Sequence, residues 1–376
     1  MRIAYFTESL PPKTDGVAKS MQKLAETLES KNIDFHFFCP FKPNGEVSWS
    51  EKVYKVSSVP FLLYREYRVG IPMGMDLSGI LDRFQPDLIH AACPTPLGFA
   101  AVNYARKRKI PAVSSYHTHF VSYFKYYGFG LFENQGWTYL KWFYNQFERI
   151  YVPSTSTANE LKTKGFENIE LWQRGIDLNQ FSPRFRSVQL RRQINAEDKL
   201  ILLFVGRLVK EKDLEDLIAA NQLLKKEGYS FKQVIVGDGP MKPRLLEALP
   251  EAHLTGILRG QELANWYASA DIFVFPSTTE TFGNVILEAY ASGLPVIGVN
   301  IGGHTDLIQN GLTGLIARAN DPKDFAQKIK VLLENNTLRE NLSRNAKDYS
   351  AQYSWEAING KLIKSYQQIL TEFSYN

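Results

Sequence analysis

The stretch from Asp271 to Gly303, DIFVFPSTTETFGNVILEAYASGLPVIGVNIGG, decides how the rest of the chain is read. Ile272 to Phe275 is a short apolar run of strand-forming residues, and a polar turn containing Gly283 follows it. Asn284 to Ala291 then reads as a helix, Gly293-Leu294-Pro295 breaks it, and Pro295 to Val299 is a second buried strand. Strand, loop and helix in this order make half of a βαβ unit. Such units bind ligands at the loops that leave the carboxyl ends of parallel strands. The loop from Ser277 to Asn284 is therefore the candidate site. It carries Glu280 at its centre, and Glu288 lies one turn into the helix. The backbone N–H groups of Phe282, Gly283 and Asn284 fall at the helix start, where unpaired donors and the positive dipole end favour a phosphate. A ligand with phosphate for the amides and sugar hydroxyls for the carboxylates suits this loop. A structural reading stands beside it: a glutamate at a helix start favours the dipole, and Glu288 among apolar neighbours can snorkel or pair with a base.

Working outward, the same strand-turn-helix plan recurs. LILLFVGRLVKEKDLEDLIAANQLL places Arg207 and Lys212 in a turn at the end of a buried strand closing at Val205. Two cations held there make a diphosphate clamp, Arg chelating oxygens and Lys acting as a point charge; the alternative is a pair of exposed loop cations. FKQVIVGDGPMKPRLLEAL repeats the plan, with Gly237 opening a loop whose backbone can approach a nucleotide. Near the beginning, MRIAYF is a strand that turns through Pro11, Pro12 and Gly16 into a helix with Val17, Met21, Leu24 and Leu28 on one face. Gly16 is either a plain turn glycine or a point of close backbone approach to a donor phosphate or an acceptor. The absence of GxGxxG argues against a nicotinamide-dinucleotide site. The strand in IPAVSSYHTHF runs into Tyr116-His117-Thr118-His119, again at a carboxyl end.

Length and composition bound the answer. A chain of 376 residues exceeds one ordinary core and predicts two domains. The repeated βα pattern, interrupted near residue 180, gives an α/β class with two doubly wound domains facing a cleft. The division expected is 1–180, completed by a C-terminal helix at about 357–376, and 181–356. No run of about 18 apolar residues spans a membrane, and the start lacks a signal-peptide pattern. Cys39 and Cys93 lie in or beside apolar strand-like runs without metal-ligand spacing, and read as reduced thiols of a cytoplasmic protein. The net charge of +5 is too mild to imply nucleic acid, and no base-stacking module is present. From Phe120 to Tyr151 the chain is unusually aromatic, with the RKRK run (Arg106 to Lys109) shortly before. These rings are either core or an apolar, basic-rimmed surface for an anionic membrane or a lipid-linked acceptor.

Glu280 and Glu288, with seven residues between them, resemble the paired-glutamate element of the retaining glycosyltransferases of family 4, and ETFGNVILEAYASGLPVI resembles that family over its whole length. The segment WQRGIDLNQFSP resembles the stretch joining the two domains in these enzymes, particularly mannosyltransferases and sulfoquinovosyl-lipid synthases. The resemblance runs from the first loop to the last helix. It implies the GT-B fold, two Rossmann-like domains, an acceptor-binding first domain, a donor-binding second domain, and a last helix that crosses back onto the first. It implies transfer of a hexose, with retention, from a nucleoside diphosphate sugar to an acceptor hydroxyl. Arg207 and Lys212 match the phosphate-binding pair, Glu280 the sugar-binding carboxylate, Glu288 the ribose-binding one, and His117 the histidine near the transferred sugar. Leu258 and Arg259 fall where backbone groups read the base edge, and Gly16 and Gly237 line the donor loops. His119 receives no assignment. With cations on the diphosphate, no metal and no other cofactor is expected. GDP-mannose is favoured over UDP-glucose, UDP-galactose and UDP-sulfoquinovose, and the acceptor expected is a lipid or lipid-linked glycan on the cytoplasmic face of a membrane. Two rivals share the architecture: a nucleotide-sugar epimerase, which needs no acceptor, and a non-catalytic sugar-nucleotide binder, which has no need of the full charged set.

Overall fold

The structure, a computed structural model, describes residues 1–13, 15–43, 47–61, 64–116, 133–280, 282–301 and 303–374. They form two compact units, Met1–Gln173 with Ile358–Asn376, and Arg174–Ala357. The first unit contains β1 (Arg2–Phe6), β2 (Asp34–Cys39), β3 (Val53–Lys55), an antiparallel pair β4 (Ser58–Phe61) and β5 (Tyr64–Gly70), then β6 (Leu88–Ala91), β7 (Ala112–Ser115), β8 (Arg149–Val152) and β9 (Ile169–Leu171). Seven of these strands make one parallel sheet in the order β3-β2-β1-β6-β7-β8-β9. The second unit contains β10 (Leu200–Val205), β11 (Phe231–Val236), β12 (His253–Gly256), β13 (Ile272–Val274), β14 (Val296–Val299) and β15 (Gly314–Ala317). They form a parallel sheet in the order β12-β11-β10-β13-β14-β15.

Strands such as LILLFV and VIGV are apolar on both faces because crossover helices cover both sides of a parallel sheet. Ile201, Leu202, Leu203, Phe204, Val296, Ile297 and Val299 are accordingly buried. The helix Gly16–Ser30 starts where Asp15 accepts from the N–H groups of Val17 (3.0 Å) and Ala18 (2.9 Å), and it buries Met21, Leu24, Ala25 and Leu28 on one face.

The last helix, Trp355–Ser374, supplies the first unit from Ile358 onward. Asn359 Nδ2 donates to the Lys23 carbonyl (3.1 Å) and the Thr27 hydroxyl (3.0 Å), and its Oδ1 accepts from the Trp172 indole N–H (3.3 Å). Tyr366 is buried, with its hydroxyl 2.6 Å from His90 Nδ1 and accepting from the Tyr5 hydroxyl at 3.4 Å. The division between units falls at Gln173/Arg174, upstream of the 180/181 read from the sequence. Gly175 and Ile176 already belong to the second unit: the Ile176 N–H donates to the Tyr353 carbonyl (2.7 Å), and a Cβ on Gly175 would meet the Trp355 ring at 2.6 Å. Cys39 and Cys93 are free buried thiols; burial pushes Cys39 up to about 12 and Cys93 well above the ordinary thiol range.

The aromatic stretch divides. Residues 117–132 lie outside the described ones. On the helix Glu133–Tyr144 and just beyond it, Trp137, Phe143, Tyr144 and Phe147 are core, whereas Tyr139 and Trp142 are exposed. Among the described residues no helix is long and apolar enough to cross a membrane.

Candidate active site

In the second sheet the strand order reverses between β10 and β13, so the loops at their carboxyl ends run to opposite sides and leave a crevice suited to a ligand. Lys212 ends a single 3-10 turn (Lys210–Lys212) in the loop after β10, and Glu280 lies in the loop after β13. The Lys212 ammonium donates to Glu280 Oε1, and the two side chains are only 12% and 22% exposed. The sequence reading gave these two groups separate roles; the fold brings them into direct contact.

The contact is built by neighbouring residues. Asp213 adopts a left-handed backbone (φ 51°), and its Oδ2 accepts from both the N–H (2.7 Å) and the hydroxyl (2.8 Å) of Thr278. The Glu211 carbonyl accepts from the Thr279 hydroxyl at 2.8 Å and from the Ser277 hydroxyl at 3.5 Å. The two loops are thereby tied at the residues flanking the charged pair. On the other side of Glu280, its carbonyl accepts from the Gly303 N–H at 2.7 Å. A Cβ on Gly303 would sit 2.7 Å from the Phe282 backbone, so this close approach requires glycine.

The helix Asn284–Ala291 begins at Gly283, whose φ of 86° turns the chain, and no side chain among the described residues caps it. Phe282 is buried, Asn284 is exposed, and the first N–H groups of the helix lie at the carboxyl-end loops. Glu288, half-buried, accepts through Oε2 from the hydroxyl of fully buried Tyr267 at 2.9 Å. Behind Lys212, His304 stacks on Phe275 at 5.4 Å and accepts on Nδ1 from the Val299 N–H at 3.3 Å. Burial lowers the His304 pKa to about 4, with a Ser277 backbone hydrogen bond working the other way and the Lys212 charge adding to the depression.

Arg207 is exposed and has no hydrogen-bond or ion-pair partner through its side chain among the described residues. Its turn is held by Gly206 N–H to the Val236 carbonyl (3.0 Å) and Leu208 N–H to the Asp238 carbonyl (2.9 Å). Gly237, at φ 142°, lies so close that a Cβ would meet the Gly206 carbonyl oxygen at 1.9 Å, and its N–H donates to the Gly256 carbonyl at 2.8 Å. Half-buried Leu258 and exposed Arg259 follow Gly256 and open the helix Gly260–Ser269, which carries Tyr267. Arg207, Lys212, Gly237, Leu258, Arg259, Glu280, Phe282, Gly283, Asn284 and Glu288 all belong to the second unit. Gly16 stands exposed at a helix start in the first unit. His117 and His119 lie outside the described residues. Among the described residues no group of three or more His, Cys, Asp or Glu side chains could hold a metal ion.

Sequence reasoning passed over four further residues, Asp213, Tyr267 and His304 in the second unit and Glu8 in the first. Asp213 had a signal, following Lys212 directly. Glu8 had one too, standing just past buried β1; it is buried and accepts from the Gly70 N–H at 2.8 Å. Tyr267 and His304 carry no local signal, since their roles come from contacts across elements.

The chain matches the family model described as Glycosyltransferase Family 4 over residues 14–180, and that described as Glycosyl transferases group 1 over residues 187–349. It is 34% identical to a GDP-mannose-dependent alpha-mannosyltransferase of Corynebacterium glutamicum, the match covering 98% of this chain and 89% of that one. The chain belongs to glycosyltransferase family 4. This family-4 enzyme is a hexosyltransferase. It is also 32% identical to the sulfoquinovosyl transferase SQD2 of Arabidopsis thaliana, over 96% of this chain and 72% of the relative. The solved structure of HepE from Anabaena in complex with UDP matches with a TM-score of 0.76 over 98% of this chain and 100% of that one, at 16% identity. The fold of the family-4 enzyme is GT-B, with two parallel-sheet Rossmann-like domains.

Proposed function

We propose that the protein transfers mannose from GDP-mannose, with retention of anomeric configuration and without a metal ion, to a hydroxyl of a lipid or lipid-linked glycan at a membrane surface. The observation that carries this reading is the junction of Lys212 and Glu280 at the switch point, with Glu288 and the start of the helix Asn284–Ala291 on the same loops. Departure of the diphosphate breaks the anomeric C–O bond and builds negative charge on phosphate and positive charge on the sugar ring. Lys212, Arg207 and the N–H groups after Gly283 stabilise the first, and Glu280 the second while holding sugar hydroxyls. Glu288 takes the ribose. The acceptor oxygen bonds to the anomeric carbon on the face the diphosphate leaves, and its proton passes to the departing phosphate oxygen. An ammonium on Glu280 makes that carboxylate a weak nucleophile, which supports this route over a covalent glycosyl intermediate.

The mannosyl donor rests on the 34% identity to the Corynebacterium glutamicum enzyme. The name of SQD2 favours a second reading, a uridine donor with a sulfoquinovosyl or glucosyl group. A panel of GDP-mannose, UDP-glucose, UDP-galactose and UDP-sulfoquinovose at equal concentration, with EDTA present and a lipid acceptor, separates the two. Expected are GDP release with GDP-mannose alone and an α-linked product by NMR. A uridine donor preferred, a β product, or loss of turnover on chelation each removes the corresponding part. Product formed from donor without acceptor points instead to an epimerase.

A further inference from the structure

We infer that Tyr267 is the positioning residue that sets the enzyme's demand for a complete ribose, by fixing the carboxylate of Glu288 from beneath. The inference rests on the reading of Glu288 as the ribose carboxylate. Tyr267 is 0% exposed, its ring meeting Phe181 edge-on at 5.5 Å and Phe273 at 5.7 Å, while its hydroxyl donates to Glu288 Oε2 at 2.9 Å. The ring is thus accounted for by packing, and a phenylalanine would pack equally well. The hydroxyl is not: a buried O–H costs stability unless bonded, and here its partner is a half-buried carboxylate of another helix. Burial first, and the Glu288 charge second, hold the phenol pKa well above its ordinary value, so the hydroxyl remains a donor throughout the working pH range.

An ionised carboxylate offers about four acceptor positions and turns freely about its terminal bond. Tyr267 occupies one position and stops the rotation, which sets the plane presented to ribose hydroxyls. Its own helix, Gly260–Ser269, starts directly after Leu258 and Arg259, the loop assigned to the base. One short rigid element therefore carries both the base loop and the support of the ribose carboxylate, so base and sugar are read in fixed register. Ribose contacts are alike in the ground and transition states, and weakening them raises KM while leaving kcat in place.

The test is calorimetric titration of the full chain, and of its Tyr267→Phe and Glu288→Gln variants, with GDP and UDP and with the 2′-deoxy and 3′-deoxy forms of each. Tyr267→Phe is expected to weaken the ribonucleotide about tenfold, the loss of one charge-assisted hydrogen bond, to leave the deoxy forms nearly unchanged, and so to shrink the ribose preference. Steady-state kinetics should show a raised donor KM with unchanged kcat, and thermal unfolding confirms that the variant is folded. If Glu288→Gln abolishes the ribose preference and Tyr267→Phe leaves it intact, the role given to Tyr267 is wrong and Glu288 keeps its assignment. If Glu288→Gln also leaves the preference intact, both fall. Equal losses for ribo and deoxy forms in Tyr267→Phe show a structural residue only and overturn the inference.

Discussion

Lys212 has two partners in prospect, the carboxylate it holds and the diphosphate it is proposed to meet. Removing it leaves Glu280 without its cation and the leaving group without its nearest point charge. Lys212→Ala is expected to lower kcat by about 10²- to 10³-fold, the usual effect of deleting one transition-state donor, and to lower the thermal midpoint as well, because Glu280 is left largely buried without its cation. Turnover within threefold of the unsubstituted enzyme would take Lys212 out of the mechanism. His304 makes a second prediction. Its pKa in the fold is about 4, against an ordinary value of about 6.5, so below pH 6.5 the unfolded chain binds a proton that the fold refuses. This group's contribution to stability is therefore complete above about pH 6.5 and declines as pH falls toward 4, by up to about 1.4 kcal/mol per unit. Because the Lys212 charge helps depress it, the His304 imidazole resonance should titrate at higher pH in Lys212→Ala; an unmoved midpoint would contradict the electrostatic contact. At this scale the sequence was partly legible. The cations after Val205 and Glu280 after the next-paired strand could be read directly, since each follows a strand end, and Glu288, on the helix beyond, by its spacing from Glu280. That Lys212 touches Glu280, or Tyr267 supports Glu288, could not, because strand order rather than local pattern brings those residues together.

At the scale of elements, the loops after β10 and β13 behave as one piece because Asp213 and the Glu211 carbonyl bind three successive residues, Ser277, Thr278 and Thr279. Each loop alone would wander, and the charged pair would then form only part of the time. Asp213→Ala should reduce kcat by about tenfold or more, and in combination with Lys212→Ala should add little further, since both changes remove one function. Asp213→Asn, which keeps an acceptor oxygen for the Thr278 N–H, should retain most activity. Fully additive losses in the double variant would show that Asp213 acts elsewhere. The helices and strands themselves were readable: the helix Asn284–Ala291 was placed by its apolar spacing between Gly283 and the Gly-Leu-Pro break. The antiparallel pair β4–β5 escaped, lying in a stretch, VSSVPFLLYREYRVG, that lacks the tight turn dipeptides that announce a hairpin.

Across the whole molecule, the helix Trp355–Ser374 is fastened to the first unit by buried polar groups as much as by apolar ones. Asn359 is 0% exposed and satisfies Trp172, Lys23 and Thr27 together. Asn359→Leu removes three hydrogen bonds at a buried position and should cost about 2–4 kcal/mol in urea denaturation; a loss under 0.5 kcal/mol, within about the scatter of surface changes, would mean that the network is dispensable. The membrane proposal also belongs to this scale. Trp142 (55% exposed) packs on Phe99 at 5.3 Å, on the helix Pro96–Arg108 whose last turn begins the exposed Arg106–Lys109 run. A few inserted apolar groups at roughly 25 cal/mol per Å² and basic residues at about 1 kcal/mol each near anionic headgroups suit reversible attachment. Flotation with anionic vesicles should recover the protein, with neutral vesicles recovering less, and Trp142→Ser combined with Arg106→Glu and Lys107→Glu should abolish it. Equal recovery of this variant would place the membrane face elsewhere.

The route of the chain through its two units has a consequence for its birth on the ribosome. Arg174–Ala357 is one uninterrupted segment and can complete its fold as soon as it emerges, whereas the earlier-made unit must wait for residues from Ile358 onward. Until they arrive, the hydroxyls of Tyr5, Tyr151 and Thr27 and the ring of His90 lack the side chains of Tyr366, Ser365 and Asn359 that satisfy them. The segment made first is thus closed last, and the nascent protein carries an unsealed, partly polar seam through the whole synthesis of its second half. Ribosome stalling anywhere in Arg174–Ala357 leaves that seam open to chaperones, which makes the order of translation part of how this enzyme reaches its fold.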